Sequence, residues 1–383
     1  MPNWVMGERI KADTLASRAP LAGGRVRRRA MRQLIRDVAA GAFACLCLAL
    51  SPVAAHAYSA FYVFGDSLSD VGNVYAATGG AEPASPYSNG QFSNGPIWAQ
   101  DLSNSLGLGA LKPSLTGGTD YAFGSATTSN PSTESTAVPT LTQQLGMFLA
   151  AVGGIAPSSA LYSVWIGGND LLNILDSGTT GPTALTEAQA AAQSAATDIG
   201  TLVTQGARNV LVPLVPDLGV TPAAIAADAG AAGTLLAQTY NAALEADIGG
   251  LGSVPGLDLT YLDTFSLIDE AVADPGAFGF TNVTAPCYVG PFTGGGSVCA
   301  DPNFYLFWDM DHPSAAAHAG IAAAADAALV PEPGTMGLLA TGLVGIAFMH
   351  RRPARRPRND FLARLNRYRR GVSAPGRINR SFR

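Results

Sequence analysis

The body of the chain, residues 58–333, almost lacks basic side chains. It holds 24 aspartates and glutamates but only Lys112 and Arg208 as bases, a formal charge of −22. A surface of that charge repels phosphates instead of releasing their counterions, so we expect no nucleic-acid partner. The other 21 lysines and arginines lie in the two ends of the chain, an arrangement typical of membrane-topology signals.

Cysteine is also scarce. Of the four cysteines, Cys45 and Cys47 lie in an apolar N-terminal run, which leaves Cys287 and Cys299, twelve residues apart in a glycine-rich loop. Two cysteines without a nearby histidine pair do not fill the four positions of a zinc site. We predict that they form a disulfide, because the body of the chain is expected to leave the reducing cytosol.

The N-terminal end has the three parts of a secretory signal. An arginine cluster precedes the apolar run 38–57, which ends in Ala55-His56-Ala57. Small residues at −3 and −1 predict cleavage after Ala57, and an uncleaved membrane anchor is the alternative. Met31 would open a signal of ordinary length, so residues 1–30 are interpreted as an extension that need not be translated.

The C-terminal end, residues 331–383, has a different pattern. Pro331-Glu332-Pro333 precedes the 16-residue apolar stretch 334–349, and an arginine cluster follows. This stretch is shorter than the roughly 20 residues usual for a spanning helix, and the arginines would hold the tail inside. The order resembles the PEP-CTERM sorting signal of Gram-negative bacteria. That resemblance implies an exosortase-like processing enzyme, transient membrane anchoring, and delivery to the cell surface or extracellular matrix; a plain retained anchor is the alternative.

Residues 58–330 alternate between short β-branched or aromatic runs and alanine-rich helical stretches. The predicted strands are 60–64, 161–166, 209–215 and 257–262, and the predicted helices are 139–153, 184–206, 223–248 and 314–329. This alternation favours an α/β fold with a central parallel sheet covered on both faces. Sites in such sheets lie at the carboxyl ends of strands, where Ser67 and Asn169 are expected. We expect the long loops 75–96 and 281–304 to shape a cleft there.

A serine hydroxyl becomes an effective nucleophile only when a base removes its proton. The body offers two histidines, and only His312 has an acid placed to orient it: Asp309, three residues earlier. That acid could accept the Nδ1 proton and leave Nε2 free for Ser67. We therefore predict a triad of Ser67, His312 and Asp309, with Asp311 as the alternative acid and His318 as a helix residue.

An oxyanion needs hydrogen-bond donors that are in place before the reaction. The predicted donors are the backbone N–H groups of Ser67 and Gly124 and the side-chain amide of Asn169. Gly124 closes a Tyr-Ala-Phe-Gly motif and Asn169 lies in a Gly-Gly-Asn-Asp motif, and either residue could instead serve only a turn. Asp66 is interpreted as an acceptor for N–H groups of the loop around Ser67.

Four blocks in this order resemble the SGNH (GDSL) hydrolase family: Gly65-Asp66-Ser67-Leu68-Ser69-Asp70, Gly124, 167–170 and 309–312. The stretches 280–284 and 307–309 resemble its lipase/esterase branch. The serine is not in a Gly-x-Ser-x-Gly elbow, which disfavours the common α/β-hydrolase fold. The resemblance implies a flavodoxin-like three-layer α/β/α fold and ester hydrolysis through an acyl-enzyme, without a metal or other cofactor.

The function implied is an exported hydrolase that acts on carboxylic esters of lipids or acylated small molecules. The sorting tail motivates a second hypothesis, an acetylesterase that acts on exopolysaccharide. A third, from another class, is a non-catalytic surface or matrix adhesion protein on a hydrolase scaffold. The intact set of Ser67, Asn169, Asp309 and His312 argues against this third hypothesis.

Overall fold

The computed structural model describes residues 58–129 and 138–330. The predicted secretory signal, the start at Met31 and the apolar stretch 334–349 lie outside these residues. Within the described part of the chain, no helix has both the length and the apolar character that a membrane span requires.

Four parallel strands form the central sheet. They are β1 (Phe61–Gly65), β2 (Leu161–Trp165), β3 (Asn209–Pro213) and β4 (Asp258–Leu262), hydrogen-bonded in the order β1-β2-β3-β4. Each strand is rich in β-branched or aromatic residues, which suit a pleated surface covered on both sides. All four predicted strands are confirmed, with ends shifted by at most two residues.

An irregular segment, residues 119–123, extends the sheet beyond β1. The Val63 N–H donates to the Thr119 carbonyl at 3.1 Å, and the Tyr121 N–H donates to the Val63 carbonyl at 2.7 Å. The chain therefore runs from β1 to this outer edge and then returns across β1 to reach β2. Such a reversal opens a crevice at the carboxyl ends of the strands on either side of it.

Nine helices lie in the described residues. They are α1 (Asn73–Ala77), α2 (Trp98–Ser105), α3 (Leu141–Val152), α4 (Gly168–Asp176), α5 (Gly181–Thr204), α6 (Pro222–Ala226), α7 (Gly230–Gly249), α8 (Thr264–Ala273) and α9 (Ala315–Leu329). The helices predicted over 139–153, 184–206 and 314–329 are confirmed to within three residues. The single helix predicted over 223–248 is wrong: Asp228, with φ of 54°, is left-handed and separates α6 from α7.

The helices cover both faces of the sheet because successive strand side chains point to opposite sides. Phe64 and Val212 pack with α3, α4, α5 and α7 on one face, whereas Phe61 and Leu211 pack with α2 and α9 on the other. The expected three-layer α/β/α architecture with a parallel sheet is confirmed. At the carboxyl ends of β1 and β2 the sheet is bordered by loops.

The loop 281–304 contains a small antiparallel hairpin of β5 (Tyr288–Val289) and β6 (Ser297–Val298). The predicted disulfide between Cys287 and Cys299 closes it, and we refer to residues 287–299 as the disulfide hairpin. The Tyr288 N–H donates to the Trp308 carbonyl at 2.6 Å. The hairpin is thereby joined to the segment that carries Asp309 and His312.

Candidate active site

Ser67 lies two residues beyond the end of β1, and backbone geometry places it there. Gly65 has φ of 154°, and a Cβ atom on it would lie 2.2 Å from the Trp165 carbonyl oxygen of β2, so a side chain does not fit. The buried Gln144 amide of α3 accepts from the Gly65 N–H at 3.0 Å and donates to the Gly65 carbonyl at 2.8 Å. Gln144 therefore hydrogen-bonds both the N–H and the carbonyl of Gly65, in the turn that precedes Ser67.

Two buried carboxylates organise the loop after Ser67. Asp66 Oδ1 accepts from the Leu68 N–H at 3.0 Å, as its interpretation as a loop acceptor predicted. Asp70 accepts from the Gly72 N–H at 2.7 Å and from the Val74 N–H at 3.1 Å. Burial raises the pKa of Asp66 to about 7 and that of Asp70 to about 6. For Asp66 the charge of His312 also lowers the pKa, but burial prevails over that charge and over the hydrogen bonds of both carboxylates.

The three predicted triad residues meet in one continuous chain of contacts. His312 Nε2 lies 2.8 Å from Ser67 Oγ, and His312 Nδ1 lies 2.8 Å from Asp309 Oδ2. The backbone N–H groups of Asp311 and His312 donate to Asp309 Oδ1 at 3.0 and 2.8 Å. Because an ionised Asp309 accepts at Nδ1, the neutral imidazole carries its proton there and Nε2 is left to accept from Ser67.

The electrostatics of the pair match this arrangement. Burial alone would raise the pKa of Asp309, but the charge of His312 and hydrogen bonds from His312 and Tyr87 outweigh it and lower that pKa. For His312, burial lowers the pKa, and the charge of Asp309 and its hydrogen bond reverse the effect, with Asp311 and Asp66 adding to it. The net pKa of His312 is therefore above its usual value, and the base is held ready to accept a proton.

Asn169 lies in the first turn of α4, at the end of β2. Its Nδ2 atom donates to the Ala126 carbonyl at 2.9 Å, and the residue borders the same cleft as Ser67. The preceding Gly167 has φ of 113°, and a Cβ there would lie 2.3 Å from the Tyr240 ring. The Gly-Gly-Asn-Asp motif therefore joins a tight strand-to-helix turn to an amide with one further N–H available for a ligand.

The structure does not support Gly124 as an oxyanion donor. Its N–H donates to Asp70 Oδ2 at 2.9 Å, and a Cβ atom on it would lie 2.4 Å from the Phe92 ring. The next residue, Ser125, has φ of 63° and borders the cleft together with Ser67. Non-glycine residues in this conformation are uncommon and concentrate at functional sites. The Gly124 N–H is thus used by Asp70, whereas the neighbouring Ser125 is the residue of this motif that borders the cleft.

The cleft beside Ser67 has an apolar part, which we call the apolar arm, and two aromatic residues border both this cleft and a second cavity. The arm is lined by Leu172, Leu218, Ile268 and Phe307. No lysine or arginine stands among the described residues that border the cleft, whereas Asp66, Asp217 and Asp311 do. The second cavity is lined by Val74, Ala77 and Val138, among others, and Phe92 and Phe292 border both spaces. Ring centroids of these two phenylalanines lie 5.5 Å apart.

Several residues of the site escaped the sequence analysis. Tyr87 and Phe92 come from the loop 75–96 and Phe292 from the loop 281–304, so the expectation that these loops shape the cleft is confirmed. Their individual roles had no local signal, because Tyr87 contacts a residue 222 positions away. In the described residues no group of three or more histidine, cysteine, aspartate or glutamate side chains is arranged to hold a metal ion.

Comparison with known families places these residues in a wider group. Residues 61–325 match the family described as "GDSL-like Lipase/Acylhydrolase". Residues 329–352 match the "PEP-CTERM protein-sorting motif".

Individual relatives share parts of the chain. Lipase 1 of Photorhabdus luminescens is 37% identical over 180 residues, which are 46% of this chain and 25% of the relative. Esterase EstA of Pseudomonas aeruginosa is 32% identical over 316 residues, 71% of this chain and 47% of the relative. The chain thus spans less than half the length of these curated relatives. A solved structure of Axe2, an acetylxylan esterase from Geobacillus stearothermophilus, matches 72% of this chain and 95% of its own, with 15% identity and a TM-score of 0.41.

Proposed function

The chain belongs to the GDSL-like lipase/acylhydrolase family, and on that premise we propose that it is a serine hydrolase of carboxylic esters. One observation carries the proposal: Asp309, His312 and Ser67 form an unbroken series of contacts of 2.8 Å that ends in an open cleft. A nucleophile, a base and an acid that orients the base are the requirement for acyl transfer through a covalent intermediate.

The proposed reaction uses these groups in sequence. His312 Nε2 takes the proton of Ser67 Oγ as the oxygen attacks the ester carbonyl carbon. The tetrahedral oxyanion is bound by the N–H groups of Ser67 and Ser125 and by the amide of Asn169. His312 then gives its proton to the departing alcohol, which leaves an acyl-enzyme. Water, deprotonated by the same nitrogen, attacks that ester and releases the carboxylic acid and free Ser67.

The lining of the cleft supports a neutral ester with an apolar acyl part. The apolar arm offers hydrophobic contacts to an acyl chain, at about 0.8 kcal/mol for each buried methylene. Three aspartates and no bordering cation disfavour a substrate with a free carboxylate or phosphate near the ester. We therefore expect lipid or small-molecule esters to be hydrolysed better than anionic ones.

The sorting motif at residues 329–352 marks an exported protein that is sorted by an exosortase to the cell surface. Beyond that, we propose a secretory signal at 1–57 cleaved after Ala57, a hydrolase domain at 58–330 and a processed segment at 331–383. The mature protein would then lie at the surface or in the matrix of a Gram-negative bacterium. The same motif favours the second candidate, an acetylesterase that acts on exopolysaccharide.

The purified full chain, assayed with p-nitrophenyl acetate, butyrate and palmitate beside Ser67→Ala, tests the reaction. We expect the variant to lose at least about 10⁴-fold in kcat. Ser59→Ala is the control, since it removes an exposed hydroxyl that contacts Ser159 at the amino ends of β1 and β2, opposite the site, and should leave kcat unchanged. Release of acetate from acetylated polysaccharide, without hydrolysis of butyrate or palmitate, would favour the second candidate. A folded protein that hydrolyses none of these esters would contradict the proposal.

A further inference from the structure

The catalytic carboxylate has a hydrogen-bond partner outside the triad. The Tyr87 hydroxyl donates to Asp309 Oδ2 at 2.6 Å, on the same oxygen that lies 2.8 Å from His312 Nδ1. Burial and the neighbouring charge of Asp309 raise the pKa of the Tyr87 phenol, so it is a donor at neutral pH. His312 Nδ1 also lies 2.9 Å from Asp309 Oδ1, so the imidazole contacts both carboxylate oxygens, and Oδ2 accepts from the phenol in addition.

The Tyr87 ring has little freedom to leave this position. It is buried, and its centroid lies 5.3 Å from that of Tyr288, 5.6 Å from Phe292 and 6.1 Å from Trp308. Two of these rings belong to the disulfide hairpin, which the Cys287–Cys299 bond closes. Aromatic packing of this kind fixes a ring to within a narrow range of angles, and the hydroxyl is fixed with it.

Tyr87 is buried and its hydroxyl donates to Asp309, so it acts on the reaction through that carboxylate. Its hydrogen bond is charge-assisted, and bonds of that kind are shorter and stronger than neutral ones. With the two backbone N–H groups on Oδ1, it completes the set of donors that holds the Asp309 carboxylate in one orientation. The carboxylate plane, in turn, decides where the imidazole of His312 points.

We propose that Tyr87 is a positioning residue that holds Asp309 Oδ2 against His312 and limits how strongly Asp309 binds the protonated imidazole. This inference rests on the proposed triad. With the phenol present, the negative charge on Oδ2 is shared between two donors. Without it, Oδ2 keeps only its contact with His312 Nδ1 and the carboxylate carries more negative charge toward the imidazole, so the imidazolium is held more tightly and releases its proton to the leaving alcohol less readily.

Other charged groups face His312, and the test must leave them unchanged. The negative charges of Asp309, Asp311 and Asp66 raise the pKa of His312. His318 of α9 lies near enough to His312 for the charge of one imidazole to affect the other. Tyr288→Phe is a matched control. It removes a phenol from the same aromatic cluster, but that hydroxyl donates to the Pro291 carbonyl at 2.8 Å and not to the triad.

The experiment compares Tyr87→Phe with Tyr288→Phe in the full chain. The titration of the His312 ring protons, followed by NMR, is expected to move to higher pH by about half a unit or more in Tyr87→Phe and to stay in place in Tyr288→Phe. In the ester assay, kcat at pH 8 should fall roughly three- to tenfold with KM unchanged. No movement of the titration in Tyr87→Phe, or an equal movement in both variants, overturns the inference.

Two further measurements keep the outcome clear. Thermal unfolding shows whether Tyr87→Phe is folded, and in the wild-type protein the ¹³C resonances of the Tyr87 ring should titrate together with His312. Independent titration of the two residues also overturns the inference. Because these readouts need no turnover, a wild-type protein that hydrolyses no ester would contradict the proposed function and leave the coupling between Tyr87 and His312 to be judged separately.

Discussion

The two halves of the active site are held by different kinds of structure. Ser67 stands two residues beyond β1 and Asn169 four residues beyond β2, so the parallel sheet itself brings the nucleophile half together. Asp309 and His312, the base half, lie on the long connection between α8 and α9, which contains only short 3₁₀ turns and the disulfide hairpin. Regular hydrogen bonding positions one half, whereas packing between loops positions the other.

The pKa of a buried aspartate is shifted in opposite directions in the two halves. Burial raises the pKa of Asp66 to about 7, because backbone N–H groups and the nearby charge of His312, without a side-chain hydrogen bond, do not offset the loss of water. Burial acts on Asp309 as well, yet its pKa is lowered by the charge and hydrogen bond of His312 and by the hydrogen bond of Tyr87. The comparison shows that side-chain partners, more than burial, decide which carboxylate stays ionised for catalysis.

The largest loss of activity should come from replacing Asp309, the acid of the base half. Asp309→Asn removes the charge and disturbs the imidazole tautomer, so we expect kcat to fall by about 10⁴-fold while the sheet remains folded. Steady-state kinetics and circular dichroism measure both. Asp311→Asn is the control and should cost less than about tenfold. A larger loss from Asp311→Asn than from Asp309→Asn would make Asp311 the orienting acid.

Removal of the disulfide tests whether the base half, which packing between loops positions, is less stable than the nucleophile half on the sheet. Replacing Cys287 and Cys299 by serine should lower the free energy of unfolding by about 2–4 kcal/mol. Hydrogen exchange should rise first in the hairpin and the 307–313 segment and leave β1 and β2 protected. Val298→Ala, an exposed change in β6, is the control. Equal loss of protection in β1 would mean that the two halves unfold together.

The stability of the protein should depend on pH through His318 of α9. Burial and the charge of His312 lower its pKa to about 3, and neither ring nitrogen has a hydrogen-bond partner in the described residues. The unfolded chain takes up this proton near pH 6.5 and the folded chain does not, so stability is lost as the pH falls below 6.5. His318→Leu should not show this loss of stability. Through this effect its free energy of unfolding should exceed that of the wild-type protein by about 2 kcal/mol at pH 5 and by almost nothing at pH 8.

Thermal unfolding of His318→Leu and the wild-type protein at pH 5 and pH 8 measures the effect. The difference between the two proteins should be largest at pH 5. The same difference at both values of pH would assign the change to packing of the new side chain, and not to the proton.

The smallest effect concerns selectivity. Phe292 borders both the cleft and the second cavity, and its ring centroid lies 6.0 Å from that of His312. Phe292→Ala should join the two spaces and raise the ratio of kcat/KM for decanoate over acetate esters by roughly tenfold, about 1.4 kcal/mol. Val289→Ala, exposed on the same hairpin, is the control. An unchanged ratio in Phe292→Ala would show that the rings do not limit the acyl chain.

Sequence reasoning succeeded where a local pattern carries the information. The four strands and three of the helices follow from runs of β-branched or alanine-rich residues, and α2, α4 and α8 were missed because eight to ten residues give too short a periodic pattern. The break at Asp228 was missed because a single left-handed residue leaves the composition of the helix unchanged. Gly124 was predicted as a donor because a local pattern does not show that its N–H donates to Asp70, 54 residues earlier.

By itself the sequence determined the strand that ends at Ser67, the pairing of Asp309 with His312 three residues later, and the disulfide, because each depends on neighbours in the chain or on a scarcity of alternatives. Only the tertiary structure decided that Asp70 accepts from the Gly124 N–H, that Tyr87 donates to Asp309 and that the Phe292 ring contacts that of His312. The contacts of Tyr87 and Phe292 join loops far apart in the chain. Their energy comes from the packing and hydrogen bonding of surfaces that meet only after the sheet has formed.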